Sequence, residues 1–286
     1  MKKILLLTCF SLMSPVVAAS GSGSAVVNEL VANKGEWLLV DNFESGDISS
    51  WTKRDTKNQT SPKIENPQVT EIRQEELGNH FLIKKPAAEG VVGNRKALSF
   101  TKLPDEVGVG DTYTFYTRVN VEYFPNNHVF GLSNLDPEGI AKHDYNAFEP
   151  SLRITDKAES NGLKNDGTLM VKVGKGYDKI QNFAEQRSAK PLEQDVWYEV
   201  WYVVNNAKLA DGGQRYDVYV RGGEFAEQTL VYRDADFRMK RELPLKYFLT
   251  NCNTGPIDKP YGNGGIRYDD IYMVKGINLT LPVSPL

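Results

Sequence analysis

Arginine, histidine and asparagine side chains that can do chemistry occur on segments that alternate between polar and apolar residues. Arg153 carries a fixed positive charge in a planar fork suited to a carboxylate, His128 belongs to the residue type whose unperturbed pKa lies near neutral pH, and Asn251 offers an amide. Such groups can neutralise a sugar carboxylate, remove the neighbouring proton and stabilise the charge that develops. With a proton donor for the leaving oxygen, this set predicts β-elimination in a uronate polysaccharide.

Tyr177 is the first candidate for that proton donor, because it follows Gly174-Lys175-Gly176, a turn able to present a hydroxyl group. His128 is assigned as the base, although the two roles can be exchanged. We expect the catalytic groups to share one groove with a second set of substrate-binding residues. This second set is Tyr116, Arg118, Lys172, Tyr145 and Asn253.

Each of these residues also has a purely structural interpretation. His128 precedes Val129 and Phe130, a context that equally suits a core or edge histidine. The arginines fit the solvated face of an exposed strand, and the asparagines fit strand ends, because asparagine favours turns. The apolar strand context of the tryptophans favours core positions over sugar platforms.

The elements that position these side chains are predicted to be β-strands. No long window has the apolar spacing of an amphipathic helix, and several segments repeat with a period of two between turn signals. This pattern predicts an all-β fold, a two-sheet antiparallel sandwich of the jelly-roll type. The predicted strands are 40–43, 81–84, 97–100, 112–123, 128–133, 149–155, 169–173, 197–204, 216–221, 247–253 and 265–275, with 52–68 and 134–147 as loops.

The first and last predicted strands resemble those of concanavalin A-like and laminin-G-like jelly rolls. The first contains D-N-F-E-S-G at 41–46, followed by Trp51, and the last contains R-Y-D-D-I-Y-M at 267–273. The resemblance spans most of the chain after residue 36. It implies that these two strands lie close together in one sandwich.

The segment Y-F-L-T-N-C-N at 247–253 is similar to a late strand of jelly-roll alginate lyases, which also opens with Tyr-Phe. Those lyases use Arg, Gln or Asn, His and Tyr on a concave sheet. Asn253 stands where that family has its catalytic tyrosine. The resemblance therefore implies a broader class of uronate lyases whose donor is another tyrosine, either Tyr177, Tyr145 or Tyr116.

A second site is predicted where the terminal strands meet. If Phe43 and Ile271 face the core, then Glu44 and Asp270 face outward on neighbouring strands. With the carbonyl of Gly46, these carboxylates suit Ca²⁺, which takes six to eight oxygen ligands. Many jelly rolls of the superfamily that this sequence resembles bind a structural calcium ion. The alternative is that these are ordinary surface acids.

Several other functions are disfavoured by the sequence. There is no P-loop, dinucleotide-binding fingerprint, nucleophile elbow or cluster with zinc-ligand spacing. The E-x-D-x-E pattern expected of retaining glucanases in this superfamily is missing, so hydrolysis by paired carboxylates is disfavoured. The formal net charge of −3 provides no strong basic field for nucleic acid.

The N-terminus predicts export. Residues 1–19 have the basic start, short apolar core and small-residue end of a signal peptide, and they are too short to span a bilayer. Residues 20–36 are predicted to be a flexible leader and residues 37–286 a single monomeric domain. Cys252 is then the only cysteine of the mature chain, is expected to be buried, and leaves no internal disulfide. A secreted or periplasmic location follows.

Two classes of function therefore stand beside each other. The first is a secreted lyase that acts on an acidic polysaccharide, and the second is a carbohydrate-binding, lectin-like jelly roll without activity. A structural or adhesion domain of the laminin-G type is a third possibility. Elimination creates an unsaturated uronate, so its ultraviolet absorbance distinguishes the first class from the others.

Overall fold

β-Strands make up about half of the residues that a computed structural model of the protein describes, which are 35–282 apart from 57, 95, 160, 161 and 163. Helices are few in this part: α1 (Pro137–His143) and two 3₁₀ turns, Asp144–Ala147 and Leu209–Asp211. The strands, in chain order, are β1 (Leu38–Asp41), β2 (Thr52–Asp55), β3 (Asn58–Ser61), β4 (Val69–Gln74), β5 (His80–Lys85), β6 (Val92–Asn94), β7 (Ala97–Val107), β8 (Thr112–Val121), β9 (Asn127–Ser133), β10 (Phe148–Thr155), β11 (Leu169–Val173), β12 (Gly176–Lys179), β13 (Gln181–Asn182), β14 (Arg187–Ser188), β15 (Trp197–Asn205), β16 (Arg215–Gly222), β17 (Phe225–Asp236), β18 (Leu245–Cys252) and β19 (Ile266–Lys275).

Two large antiparallel sheets contain most of these strands. Sheet A has the order β17-β16-β15-β8-β19-β5-β4, with β1 also paired to β19, and sheet B has the order β12-β11-β10-β9-β18-β7-β2. Many neighbours in these orders are distant in sequence, which is the crossing connectivity of a jelly roll. The predicted two-sheet antiparallel sandwich is confirmed.

The terminal strands pair as the sequence predicted. Leu38 lies opposite Met273 and Leu39 opposite Tyr272, and after a bulge Asp41 lies opposite Ile271. The bulge shifts the register by one residue. This pairing brings the two ends of the domain together in sheet A.

The main core lies between the sheets and follows the two-residue period of the strands. On sheet B, Phe130, Leu152 and Phe248 point into it from β9, β10 and β18, and all three are fully buried. Sheet A contributes Phe115 and Tyr202, whose rings stack with centroids 5.3 Å apart. Because successive side chains point to opposite faces, residues next to these on sheet B lie on its outer face.

Helix α1 covers the apolar half of that outer face. Val129 and Leu249 from sheet B form a second buried cluster with Ile140 of α1. The Asp136 side chain caps the helix by accepting a 2.7 Å hydrogen bond from the Gly139 amide. The prediction of a loop over the whole of 134–147 is therefore wrong. The sequence did not reveal α1, because a helix of seven residues is too short to show a periodic apolar stripe.

Other differences from the predicted elements include β6, β12, β13 and β14, which are two to four residues long and were not predicted. The predicted loop at 52–68 contains β2 and β3, whose exposed, polar residues give no apolar alternation. Strands β4 and β17 were not predicted either. Strand β17 buries Phe225, Val231 and Ala235, but its sequence shows no regular alternation. Backbone hydrogen bonds to a neighbouring strand form these elements, and such bonds leave no signal in side-chain hydropathy.

Cys252 lies on the core face of β18, as predicted, and is almost fully buried. Burial raises the pKa of its thiol to about 12, which disfavours the reactive thiolate. The predicted signal peptide, and all but the last two residues of the predicted leader, lie outside the described residues. Among the residues that are described, no helix is long and apolar enough to cross a membrane.

Candidate functional site

The polar half of the outer face of sheet B is built on three adjacent central strands. Arg153 on β10 lies opposite Val129 on β9, which in turn lies opposite Asn251 on β18. The three residues therefore form one row on one face, with Arg153 and Asn251 separated by two strand spacings, about 10 Å. Arg153 is 6% exposed and Asn251 is 3% exposed.

On β11 the direct partner of Arg153 is Met170, and two residues further along the same face Lys172 lies directly opposite Tyr177 of β12. The Arg153 guanidinium stacks over the Tyr177 ring at 5.2 Å from its centroid, and the Lys172 ammonium lies 5.6 Å from the same centroid. Two cations thus face one aromatic ring, an arrangement that the negative face of the ring favours.

The Tyr177 hydroxyl group lies at the centre of a hydrogen-bonded set. Its oxygen accepts a 2.9 Å hydrogen bond from the Tyr145 hydroxyl and a 3.2 Å hydrogen bond from Arg238 Nη1. The Arg238 guanidinium also stacks over the Tyr145 ring, 4.3 Å from its centroid. We call Arg153, Lys172, Tyr145, Tyr177 and Arg238 the basic–tyrosine cluster.

A buried carboxylate holds the loop that carries Arg238. Glu149 is fully buried, and Arg241 donates to its Oε1 from Nη1 at 2.9 Å. Its Oε2 accepts from the backbone amides of Met239 at 3.0 Å and Lys240 at 2.8 Å. The Arg238 amide donates in turn to the Glu149 carbonyl at 2.9 Å. Glu149 is therefore a structural anchor for this loop.

Asn251 presents an unused acceptor on this face. Its Oδ1 atom is buried and has no hydrogen-bond partner among the described residues. A buried polar atom without a partner is costly unless a ligand or water supplies the donor. Asn251 can thus accept a hydrogen bond from a sugar hydroxyl.

Burial shifts the pKa values of two titratable groups in the basic–tyrosine cluster. Burial, together with the positive charge of Arg238, lowers the pKa of Lys172. Burial, together with the neighbouring Tyr177, raises the pKa of Tyr145 well above its ordinary value. Tyr145 therefore stays protonated and able to donate to Tyr177, while Lys172 loses its proton more readily than an exposed lysine.

His128 does not lie on this face, contrary to prediction. In register it sits between Ile154 and Cys252, which both point into the core. It is 1% exposed, and its Nε2 lies 2.8 Å from the Gly264 carbonyl. Burial lowers the pKa of His128 to about 3, so the ring is neutral at physiological pH. The structural interpretation of His128 is the correct one, because the two-residue period places it with Phe130.

Tyr116 and Arg118 lie on sheet A, outside the predicted groove. Tyr116 is buried against Trp201, and Arg118 contacts the Asp269 carboxylate at 3.0 Å and stacks over Trp197 at 4.6 Å. Asn253 follows the end of β18, where its Oδ1 accepts from the Gly255 amide at 3.0 Å. These three residues therefore contact structural partners away from the predicted groove. The other predicted residues that share the outer face of sheet B are Arg153, Lys172, Tyr145, Tyr177 and Asn251.

In their present conformations, the residues predicted to bind calcium do not form a set of ligands for one ion. Glu44 pairs with His80 at 3.2 Å, Asp270 pairs with Arg118 at 3.3 Å, and Gly46 closes a turn onto the Phe43 carbonyl. No group of three or more acidic, histidine or cysteine side chains placed to share an ion occurs in the described residues. Calcium binding here stays a prediction. If it occurs, a chelator lowers the melting temperature of the wild-type protein and leaves that of an Asp270→Ala variant unchanged.

Sequence reasoning missed Arg238 and a second carboxylate, Glu159, both of which come from loops. Glu159 Oε1 lies 2.8 Å from Arg153 Nη1. Strand periodicity assigns a face to strand residues only, so it gives no position for a loop side chain. The charge run at 238–242 is visible in the sequence, but its placement depends on the buried Glu149.

Comparisons with known proteins give structural similarity only. No protein-family model matches the sequence, and no curated protein matches it. An alginate lyase from Aplysia kurodai has 12% identity, with 73% of this chain and 87% of the lyase covered, at a TM-score of 0.48. Peanut lectin has 10% identity, with 81% of this chain and 100% of the lectin covered, at 0.46. A GH131 β-glucanase domain from Podospora anserina has 8% identity, with 73% and 80% covered, at 0.43.

The predicted resemblance to concanavalin A-like jelly rolls is confirmed at the level of the fold, through the two sheets and the paired terminal strands. Identities of 12% or less assign no activity to this chain, and the three proteins differ in function. Function must therefore be argued from the residues of the outer face.

Proposed function

We propose that the outer face of sheet B binds a uronate-containing polysaccharide and cleaves it by β-elimination, with Tyr177 as the proton donor. The supporting observation is the Tyr177 oxygen, which accepts hydrogen bonds from Tyr145 and Arg238. Both donors point at that oxygen, so the proton of Tyr177 itself is directed elsewhere. The proton is thus available to the leaving oxygen of a bound sugar.

The positive charges of the cluster suit an acidic substrate. Without Lys2 and Lys3 of the predicted signal peptide, the formal charge changes from −3 to −5. A chain of that charge repels a polyanion unless cations line the site locally. Arg153 and Arg238 provide such a lining around Tyr177.

The elimination needs a base, and Lys172 is the candidate that replaces His128. A base removes the proton next to the sugar carboxylate, a carbon–carbon double bond forms, and the bond to the glycosidic oxygen breaks. That oxygen takes the proton of Tyr177. Lys172 lies opposite Tyr177, and its lowered pKa makes the neutral amine more accessible than in an exposed lysine.

Carbohydrate binding without cleavage is the second candidate, and one observation favours it. The Lys172 ammonium donates to the carbonyls of Gly174 and Gly176, the latter at 3.0 Å. Those bonds stabilise the charged form, in which Lys172 binds an anion and cannot accept a proton. A lectin-like protein needs no base.

One screen separates the two candidates. Alginate, ulvan and glucuronan are each mixed with the protein, and both binding and the ultraviolet absorbance of an unsaturated uronate are followed. We expect product from at least one polymer. Binding without product supports the lectin-like function, and neither binding nor product excludes both.

We also propose that the protein is exported after cleavage near Ala19. The motivation is the basic start and short apolar core of residues 1–19. Expression in a bacterial host followed by N-terminal sequencing of the extracytoplasmic fraction tests this. A protein that keeps Met1 and stays in the cytoplasm contradicts it.

A further inference from the structure

The Glu159 carboxylate occupies a set of donors beside the basic–tyrosine cluster. Its Oε1 contacts Arg153 Nη1 at 2.8 Å and accepts from Asn165 Nδ2 at 2.7 Å. Its Oε2 accepts from Lys157 Nζ at 2.7 Å. Both oxygens are thus bound by short hydrogen bonds, two of which come from cations, the strongest kind of carboxylate recognition.

The donors are held in place by other parts of the protein. Arg153 Nη2 donates to Asn127 Oδ1 at 3.1 Å, and the Arg153 guanidinium stacks on Tyr177. Lys157 lies over the Tyr261 ring, 5.1 Å from its centroid, and Asn165 also donates to the Lys157 carbonyl at 3.2 Å. A carboxylate of any origin therefore meets a site whose donors are already oriented.

Glu159 itself is less firmly placed than these donors. Glu159, Lys157 and Asn165 all belong to the loop between β10 and β11. The Glu159 side chain is 25% exposed, against 7% for Arg153 and 13% for Lys157, and Asn165 is buried. Rotating the Glu159 side chain into solvent breaks no strand hydrogen bond. The carboxylate can leave while Arg153, Lys157 and Asn165 remain.

We propose that Arg153, Lys157 and Asn165 form a carboxylate-binding site, that the Glu159 side chain fills it in the free protein, and that a uronate carboxylate displaces Glu159 on binding. The displacement of Glu159 by a uronate rests on the proposed function. The site adjoins Tyr177 through the shared Arg153 guanidinium, so a carboxylate there places its sugar next to the proton donor. The apparent affinity for the uronate is then the intrinsic affinity multiplied by the fraction of protein in which Glu159 has left the site.

Chemical rescue tests the carboxylate site without any polysaccharide. The melting temperature of Glu159→Ala is measured in sodium acetate and in sodium chloride at equal ionic strength. We expect acetate to raise it for Glu159→Ala and to leave both the wild type and the Glu159→Ala/Arg153→Met double variant unchanged. An acetate effect that is missing in Glu159→Ala, or equal in all three proteins, overturns the inference.

Calorimetric titration with alginate oligosaccharides tests displacement. Glu159→Gln keeps the shape of the side chain but loses its charge, so we expect it to bind about tenfold more tightly than the wild type. Glu185→Gln, which removes an exposed partner of Arg187 away from the site, is the matched control and should bind like the wild type. Equal or weaker binding by Glu159→Gln overturns displacement. Rescue by acetate, with no binding of alginate, ulvan or glucuronan oligosaccharides by any variant, leaves the carboxylate site standing and contradicts the proposed function.

Discussion

At the scale of single residues, Tyr145 is expected to act through Tyr177 because its hydroxyl donates to the Tyr177 oxygen at 2.9 Å. Tyr145→Phe removes one of two donors and leaves the ring under Arg238. A lost hydrogen bond of about 1 kcal/mol predicts a roughly five- to tenfold lower kcat with little change in KM. Steady-state kinetics on the polymer that the screen identifies measures this.

The matched control for Tyr145 is Tyr219→Phe, which removes a half-buried tyrosine hydroxyl from sheet A, away from the cluster. It should leave kcat and KM close to those of the wild type. An unchanged kcat in Tyr145→Phe, or an equal loss in both variants, contradicts the positioning role of Tyr145.

The residue scale also defines how much of the site the sequence could predict. Arg153, Lys172 and Asn251 share a face as strand residues of the right parity, and the turn before Tyr177 brings its ring to them. His128 was misplaced although the same parity puts it with Phe130 in the core. The position of Arg238 could not be predicted from the sequence, because it depends on loop contacts that hydrophobic periodicity does not encode.

At the scale of elements, the segment 238–241 depends on Glu149 of β10. The backbone amides of residues 239–241 and the side chains of Arg241 and Asn134 donate to this fully buried carboxylate. Glu149→Ala leaves those donors without a partner, and removing one member of a buried charged pair typically costs about 3 kcal/mol or more. We therefore expect the free energy of unfolding, measured in urea, to fall by about that amount.

Glu227→Ala, an exposed glutamate on β17, is the control for Glu149→Ala and should change the stability by less than about 0.5 kcal/mol. Because Arg238 precedes the anchored segment, Glu149→Ala should also lower turnover more than its stability loss explains at low temperature. Equal stability of the two variants would show that Glu149 does not anchor this segment.

The elements themselves were predictable where one face is apolar. Strands β8, β9, β10 and β18 carry clear alternation and were predicted nearly to their ends. Strands β2 and β3 were missed because they are polar on both faces, and α1 was missed because it is short. In these elements backbone pairing and a helix cap replace the hydrophobic signal.

At the scale of the whole molecule, a charged residue between the two sheets should make stability depend on pH. Lys84 is fully buried, and its ammonium donates to Ser99 Oγ at 2.8 Å, Thr70 Oγ1 at 3.0 Å and Gln68 Oε1. Burial lowers its pKa to about 8. The unfolded chain therefore binds more protons than the folded protein between pH 8 and 10.5.

This difference in proton binding means that the free energy of unfolding rises with pH above about 8, by up to about 3 kcal/mol in all from Lys84 alone. Urea titrations from pH 7 to 10 measure the free energy of unfolding. The Lys84→Met variant shows how this free energy depends on pH through all the other titratable groups. We expect the stability difference between wild type and Lys84→Met to shift in favour of the wild type as the pH rises. A difference that is constant with pH contradicts a buried, charged Lys84.

The central claim is that the outer face of sheet B cleaves a uronate polymer with Tyr177 as proton donor. The most direct measurement is the rate at which an unsaturated uronate forms from the responsive polymer, with the wild type and Tyr177→Phe compared at equal concentration and with calorimetric binding measured in parallel. We expect steady product from the wild type and a rate lower by a factor of about 10² to 10⁴ in Tyr177→Phe, with binding largely kept. Product formed equally fast by Tyr177→Phe would contradict the account.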